Sequence, residues 1–357
     1  MGSAMSDPTA GPPAGPPGEP TILPVAQPAL FPEISLFPDF GEPPHDPAAP
    51  EPGAQKHAQA GARAPGSGAG ASGSSAEATG SGAQASGSAG QASGSAGQGA
   101  EDGAVLDLTG QVALVTGGNG GIGLGMAEGL VLAGAAVAIC GRNIDKLDAA
   151  VEHLRRLRPD AQVEAFRCDV AVESEVADVV GFTVDRFGRL DACVANAGIS
   201  GDAAILDLSL DEWRRVLSVN LDGAFLTLRE AARQMVAQGE GGALVAVSST
   251  SSEHGAPRNA HYAVSKAGVL ALVRSMAVAL ARERIRANSL VPGWTLTELT
   301  AAGYEYDKFR DATIARTPVR RWGQPEDFRT VAAFLCDKRN VFHTGDEVTL
   351  DGGYTVY

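Results

Sequence analysis

The sequence predicts an α/β fold, in which one domain is built on a doubly wound parallel sheet of about seven strands. From residue 110 onward, short runs rich in Val, Ala, Leu and Ile alternate with amphipathic stretches. Such alternation is typical of βαβ units and of the parallel sheet that they form. The first apolar run is followed directly by a cluster of glycines, at the point where a strand would turn into a helix.

The elements of this domain can be placed in order along the chain. Right-handed crossovers between parallel strands put the connecting helices on both faces of the sheet. Strands are predicted at residues 112–115, 137–140, 163–167, 192–195, 243–247, 286–290 and 347–350. Helices are predicted at residues 121–133, 144–157, 174–187, 213–238, 260–282 and 325–336.

The N-terminal segment has a different composition. Gly, Ala, Pro and Ser dominate residues 1–103, and too little apolar surface is present to offset about 1–2 kcal/mol of backbone entropy per ordered residue. We therefore predict a disordered arm. Its parts are a remnant of cloning at residues 1–5, a proline-rich segment at 6–65 and a flexible Gly/Ser/Ala-rich linker at 66–103, followed by the folded domain at 104–357.

One apolar island interrupts the arm at residues 22–40, where Phe31, Phe37 and Phe40 lie close together. Exposed aromatic side chains on a tether favour aggregation unless they bind something. We interpret the island as a docking peptide for a partner protein, such as a shell or a scaffold. Two alternatives stay open: the island packs loosely on its own domain without a role, or the arm is a foreign peptide fused to the domain.

Charge and cysteine content exclude several classes of protein. The net charge is −14, and neither part of the chain has the basic stripe that nucleic-acid binding requires. The four cysteines show no spacing typical of metal ligands, so we predict no metal site and a reduced, cytoplasmic setting. The sequence has no run of 18 apolar residues, so we predict no membrane span. It also has no basic region followed by an apolar run, so we predict no secretory signal.

The glycine cluster reads Thr116-Gly-Gly-Asn-Gly-Gly-Ile-Gly123. A turn of this kind lets backbone N–H groups approach a diphosphate at the positive end of a helix, although a tight turn without a ligand has the same composition. The string resembles the TGxxxGxG pattern of the short-chain dehydrogenase/reductase family, whose fold is Rossmann-like. The resemblance implies a nicotinamide dinucleotide whose diphosphate lies against Gly117, Asn119, Gly121, Ile122 and Gly123.

Further matches to this family follow in order, and together the resemblance covers residues 108–357 almost without gaps. Cys168-Asp-Val resembles the adenine-contacting segment, and Asn196-Ala-Gly resembles the signature beside the cofactor ribose. The Pro-Gly pair after the sixth strand resembles the segment that holds the carboxamide. The resemblance therefore implies that the cofactor is bound by Asp169, Val170, Asn196, Ala197, Gly198, Pro292, Gly293, Thr295 and Thr297.

The choice of cofactor depends on the end of the second strand. An acidic residue there binds the ribose 2′-hydroxyl of NAD, but this chain has Gly141-Arg142-Asn143 instead. A guanidinium suits the 2′-phosphate of NADP because it is always charged and can bind in a bidentate manner. Arg142 therefore favours NADP. NAD stays open as the alternative, because an arginine at this position can merely stack on adenine.

The chemistry is predicted to centre on Tyr262 and Lys266. Four residues apart on a helix, they lie on one face, one turn from each other. An ammonium beside a phenol favours the phenolate, so we expect the tyrosine pKa to fall toward working pH. Tyr262 could then exchange a proton with a substrate oxygen. The family resemblance implies that Ser249 orients this oxygen, that Lys266 also binds the nicotinamide ribose, and that Asn220 supports a proton relay.

The resemblance thus implies hydride transfer between NAD(P)H and a ketone or secondary alcohol, with a sugar-acid or ketoacyl-like substrate. A non-catalytic scaffold that kept the fold is the rival interpretation. Family members are commonly homotetramers paired through long helices, and we expect the same here. The substrate pocket is expected to include a mobile lid at residues 298–322 together with His254, Arg258, Asn259, His261 and Trp294.

Overall fold

The computed structural model describes residues 106–357. The predictions of a disordered arm, a flexible linker at residues 66–103 and a docking peptide at residues 22–40 lie outside the described residues.

The described residues form a single seven-stranded parallel sheet, as the sequence predicts. The strand order is β3-β2-β1-β4-β5-β6-β7, so the chain reverses its direction of travel between β1 and β4. All residues of β1, β4, β5 and β6 are buried, because helices cover both faces of a parallel sheet. The strands are β1 Val112–Thr116, β2 Ala136–Gly141, β3 Val163–Arg167, β4 Ala192–Ala195, β5 Gly242–Val247, β6 Ile285–Pro292 and β7 Glu347–Leu350.

Helices pack on the two faces around two apolar cores. The helices α1, α2 and α9 contribute to one core, and α3, α5 and α6 contribute to the other. The helices are α1 Gly121–Leu132, α2 Ile144–Leu157, α3 Glu173–Phe187, α4 Leu210–Leu217, α5 Gly223–Gln238, α6 Ala260–Leu280, α7 Ala301–Glu305, α8 Asp307–Arg316 and α9 Arg329–Cys336.

The structure differs from the sequence prediction in the region of residues 213–238. The helix begins at Leu210, three residues before the predicted start. The reason is that the Ser209 side chain accepts a hydrogen bond from the Glu212 N–H at 3.1 Å and caps α4. A π-helical turn, Ser218–Asp222, then separates α4 from α5. Such turns bulge out of an α-helix and often occur at functional sites. Asn220 lies in this one.

The predicted lid contains two helices that the sequence did not indicate, α7 and α8. Their residues lack a clear apolar stripe, and the elements are held instead by an aromatic cluster. The Trp294 and Phe309 rings meet edge to face at 4.8 Å between centroids, and Trp294 stacks on Trp322 at 5.3 Å. The buried Trp322 indole also donates a hydrogen bond to Thr313 Oγ1 at 2.8 Å.

Among the described residues, one helical stretch, Ala260–Glu283, is long and apolar enough by length and composition to cross a membrane. It includes all of α6 and therefore carries Tyr262 and Lys266. Because α6 packs against β5 and β6, we interpret this stretch as a core helix of the domain.

Candidate active site and cofactor cleft

A cavity of about 690 Å³ lies at the carboxyl ends of the strands. This is where ligands bind in doubly wound sheets, at the point between β1 and β4 where the strand order reverses. Its volume falls within the range of ligand and cofactor sites. The predicted residues on its wall are Gly117, Asn119, Gly121, Ile122, Arg142, Asp169, Val170, Asn196, Ala197, Gly198, Ser249, Tyr262, Lys266, Pro292, Gly293, Thr295 and Thr297.

The glycine turn leaves room for a diphosphate at the start of α1. Gly117 and Gly121 have φ of +64° and +51°, a conformation that side chains rarely adopt. A Cβ on Gly117 would lie 2.8 Å from Asn196 Nδ2, whereas a Cβ on Gly120 would meet nothing within 4 Å. No side chain caps the N-terminus of α1 at Gly120. These backbone positions therefore fit an anionic group bound by helix N–H groups.

Gly123 and Asn196 shape this turn from behind. Gly123 does not line the cavity, so its place against the diphosphate stays a prediction. A Cβ there would lie only 2.3 Å from Gly117 O and from Asn196 Nδ2, so the glycine allows close packing of α1 on the turn. Asn196 Nδ2 donates to the carbonyls of Thr116 and Gly117 at 3.0 and 3.2 Å, which ties the ends of β1 and β4 together.

The far end of the cavity, beyond β2 and β3, carries most of its charge. Arg142 lies 3.9 Å from Asp169, and its side chain is largely exposed. Asn143 Oδ1 accepts from the Lys146 N–H at 2.9 Å and caps α2. Lys146 Nζ reaches across the cavity to both carboxylate oxygens of Glu298, at 2.7 and 2.5 Å. No sequence pattern indicates Lys146 or Glu298 as site residues, because they are 152 positions apart and come together only in the folded chain.

The catalytic candidates meet at the other end of the cavity, after β5. Tyr262 and Ser249 both line this part of the cavity wall. Burial raises the pKa of Tyr262, and the Ser249 side chain partly opposes this rise. Desolvation therefore opposes the fall in the tyrosine pKa that the sequence predicts from Lys266. Desolvation of the phenolate outweighs the favourable groups around it.

Lys266 is held beneath the tyrosine ring. Its Nζ lies 5.6 Å from the Tyr262 ring centroid and donates a hydrogen bond to Val247 O at 2.8 Å. The Ser248 hydroxyl donates to Lys266 O at 2.9 Å and fixes this turn of α6 against β5. Burial of the ammonium lowers the pKa of Lys266 to about 8. The lysine therefore lies close to its protonation midpoint at mildly alkaline pH.

Asn220 is buried and does not line the cavity. Its Oδ1 accepts from the Ile199 N–H at 2.8 Å, and its Nδ2 donates to Ile199 O at 2.9 Å and to Ser265 Oγ at 3.1 Å. The side chain thus links the π-helical turn, the segment after β4 and α6. This geometry suits a positioning residue, because Asn220 connects two walls of the cavity from behind.

The remaining substrate-pocket candidates divide into two groups. Asn259 and Trp294 line the cavity, together with Phe309 of α8. His254, Arg258 and His261 do not line it. The His254 ring lies 6.2 Å from the Tyr354 ring, Arg258 Nε bonds Asp202 Oδ1 at 2.6 Å, and His261 is fully buried 3.4 Å from Glu212 Oε1. Within residues 106–357, no cluster of three or more His, Cys, Asp or Glu side chains could hold a metal.

This fold and this cavity define a class of dinucleotide-binding proteins. A family model described as enoyl-(acyl carrier protein) reductase matches residues 117–355. The chain belongs to the short-chain dehydrogenase/reductase family, and it is an NAD(P)-dependent oxidoreductase.

Three relatives illustrate the similarity. L-rhamnose 1-dehydrogenase (NAD(P)(+)) of Sphingomonas sp. strain SKA58 is 40% identical over 250 residues, which cover 70% of this chain and 98% of the relative. A 3-oxoacyl-(acyl-carrier-protein) reductase of Chlamydia pneumoniae is 33% identical over 250 residues, 70% of this chain and 99% of its own. The crystal structure of a gluconate 5-dehydrogenase from Burkholderia cenocepacia J2315, in complex with NADP and tartrate, has a TM-score of 0.66 at 37% identity, covering 71% of this chain and 98% of that one.

Proposed function

We propose that Tyr262, Ser249 and Lys266 are the catalytic residues of a reversible conversion between a secondary alcohol and a carbonyl group. The observation that carries this proposal is that Tyr262 and Ser249 share the wall of the cavity, with Lys266 Nζ 5.6 Å from the centroid of the tyrosine ring. A nicotinamide cofactor supplies or accepts the hydride when it is bound. The protein itself must therefore supply the proton and hold the substrate oxygen.

Tyr262 is the group that exchanges this proton. Its hydroxyl donates to the substrate oxygen during reduction and accepts the proton back during oxidation. Ser249 Oγ holds the same oxygen and is itself fixed by the Ser251 N–H, which donates to it at 3.1 Å. Lys266 provides a positive charge that favours the phenolate as the proton leaves. Asn220 acts as a positioning residue, since it holds Ile199 and Ser265 on two sides of the reacting groups.

The relatives support a choice among three substrate types: a sugar, a sugar acid and a ketoacyl thioester. The test is a panel of these compounds with the full chain, in which the absorbance of reduced cofactor is followed with both NADP and NAD. We expect turnover of at least one type. A protein that remains inert toward the whole panel with both cofactors would contradict the proposal.

We further propose that NADP is the preferred cofactor and that Arg142 and Lys146 bind its 2′-phosphate. Both cations line the cavity. Arg142 directly follows β2, and Lys146 lies in the first turn of α2. Lys146 would have to leave Glu298 in order to contact a phosphate, because Glu298 occupies it through both carboxylate oxygens. A 2′-phosphate carries more charge than a carboxylate, so it is a strong competitor for this ammonium.

Substitution Lys146→Ala is expected to weaken NADP⁺ binding by about tenfold, because a charge-assisted hydrogen bond is lost. Binding of NAD⁺, which lacks the 2′-phosphate, should change little. Substitution Glu298→Gln is expected to have the opposite sign and to tighten NADP⁺ binding, because it releases the ammonium. Isothermal titration of each variant with NADP⁺, NAD⁺ and adenosine 2′,5′-bisphosphate measures these effects. Equal losses for NADP⁺ and NAD⁺ would exclude a specific role for Lys146.

The domain organisation leads to a proposal about assembly. We propose that residues 104–357 form the catalytic domain of a homotetramer, since exposed apolar side chains on α5 and α6, namely Phe225, Val264 and Val278, support pairing of these helices.

We also propose that residues 22–40 bind a partner protein and that residues 66–103 tether them to the enzyme in the cytoplasm. The sequence composition alone supports this second proposal.

A further inference from the structure

The substrate end of the cavity has a distinct chemical character. Its walls come from the segments after β4, β5 and β6, from the residue that precedes α6, and from the lid. The residues on its wall are Ser200, Ser251, Asn259, Trp294, Leu299 and Phe309. All of these side chains are uncharged.

The charged residues of the cavity lie elsewhere. Among the described residues on its wall, the charged ones are Arg142, Lys146, Asp169, Lys266 and Glu298. Arg142, Lys146 and Asp169 lie at the end of the cavity beyond β2 and β3. Glu298 of the lid is ion-paired with Lys146. The fifth, Lys266, lies beneath the tyrosine ring and donates to Val247 O. A carboxylate held at the substrate end would therefore have no dedicated counter-ion on the described wall.

Two cations close to this end along the chain are already neutralised, and a third, Lys308, is exposed and does not line the cavity. Arg258 pairs with Asp202 at 2.6 Å and does not line the cavity. Arg310 of the lid pairs with Asp307 and Asp311. Taking a carboxylate from water into a pocket without an opposite charge is costly. The substrate end is thus built to reject negative charge.

The same walls offer positive selection for hydroxyl groups and for an apolar face. Asn259 Nδ2 donates to Ser200 Oγ at 2.7 Å, which fixes a carboxamide beside a hydroxyl on one wall. The Trp294 and Phe309 rings form the other wall, and the buried Trp322 stacks behind Trp294. A ring sugar has hydroxyls along its edge and C–H groups on its faces, so it can bind the polar wall and the aromatic wall together.

We propose that the substrate is a neutral sugar and that sugar acids are rejected. The inference rests on the proposed oxidoreductase function and narrows it to one of the three substrate types. In the oxidation, the C–H bond at the reacting ring carbon breaks and its hydride passes to the oxidised nicotinamide. The hydroxyl proton leaves through Tyr262, and the carbon–oxygen bond becomes a carbonyl.

The test compares matched pairs with the full chain and NADP⁺: L-rhamnose with L-rhamnonate, and D-glucose with D-gluconate. The value of kcat/KM is expected to be about tenfold or more higher for a neutral member, as expected for a missing charge-assisted contact. Reduction of an acetoacetyl thioester with NADPH should also have a lower kcat/KM, because this compound has no hydroxyls for the wall of Asn259 and Ser200. A higher kcat/KM for a carboxylate or for the thioester would overturn this inference alone. Inertness toward every compound would overturn the proposed function, and this inference with it.

A gain-of-charge variant tests the same point independently of which sugar is used. Substitution Leu299→Arg introduces a cation on the wall of the substrate end and should raise the ratio of carboxylate to neutral turnover by about tenfold. Leu206→Arg is the matched control, because Leu206 is 95% exposed and does not line the cavity. Its ratio should stay at the wild-type value. Equal ratios in both variants would contradict a substrate end defined by its lack of charge.

Discussion

Substitution Tyr262→Phe is expected to lower kcat by about 10²–10⁴-fold, the usual contribution of a positioned acid/base group. The variant loses only the phenolic oxygen, so the ring should still pack over Lys266 and the fold should remain intact. Cofactor binding should persist, because the glycine turn and the adenosine end of the cavity are formed by other residues. Stopped-flow or steady-state turnover, combined with titration of NADP⁺, separates the two effects.

The matched control for this variant is Tyr357→Phe, which removes the same oxygen from a largely exposed C-terminal residue. Its turnover should be unchanged. The dependence of kcat on pH adds a second readout. The change of kcat with pH that arises from ionisation of the tyrosine should be absent in Tyr262→Phe. Near-native turnover in this variant would show that another group moves the proton.

Substitution Lys266→Met is expected to abolish efficient turnover and, at neutral pH, to stabilise the fold. The lysine side chain is buried, with 4% of its surface exposed, and burial lowers its pKa from 10.5 to about 8. A depression of this size corresponds to an unfavourable free energy of about 3 kcal/mol for the charged form. Methionine has a similar length and no charge, so the variant removes this cost while filling the same space.

The sign of the pH dependence follows from linkage. Between about pH 8 and pH 10.5 the unfolded chain binds more protons at this residue than the folded chain does, so wild-type stability rises with pH across this window. The stabilisation by Lys266→Met is therefore fully present below about pH 8, is lost as the pH rises from 8 to 10.5, and is absent above 10.5. Urea unfolding at pH 7 and at pH 10 measures the difference.

An exposed lysine provides the control for this experiment. Lys308 lies on the surface of α8, and Lys308→Met should change the free energy of unfolding by no more than about 0.5 kcal/mol at either pH. If Lys266→Met destabilised the protein at pH 7, the ammonium would be contributing more through its hydrogen bond to Val247 O than it loses through burial. The interpretation of Lys266 as a residue kept for catalysis at the expense of stability would then be wrong.

Local sequence was enough to predict the residues whose geometry is set within one element. Tyr262 and Lys266 lie one turn apart because a helix has 3.6 residues per turn, and the structure places both on the cavity wall. The glycines that follow β1 were recognisable for the same reason, since a strand-to-helix turn at this place needs positive φ. The sequence predicts that Asn220 belongs to the site. Its hydrogen bonds to Ile199 and Ser265 depend on the π-helical turn, which has no sequence signature of its own.

Other features required the folded chain. Gly123 matches the motif but packs against the turn, because the motif does not distinguish a glycine that meets ligand from one that meets backbone. The Lys146–Glu298 pair joins α2 to the lid, and no local pattern links those two segments. His254, Arg258 and His261 lie near Asn259 in sequence, yet only Asn259 of these four lines the cavity.

The sequence by itself determined the seven-stranded doubly wound sheet and the tyrosine–lysine pair, because each depends on periodicity and spacing within short segments, and its motifs resemble those of a family that binds nicotinamide cofactors. Only the tertiary structure decided how these groups are charged and what surrounds them. Burial raises the Tyr262 pKa and lowers that of Lys266, although helical spacing alone suggested that the ammonium would lower the tyrosine pKa. Desolvation is a property of the whole fold, since it depends on residues that are distant in sequence and close only after folding.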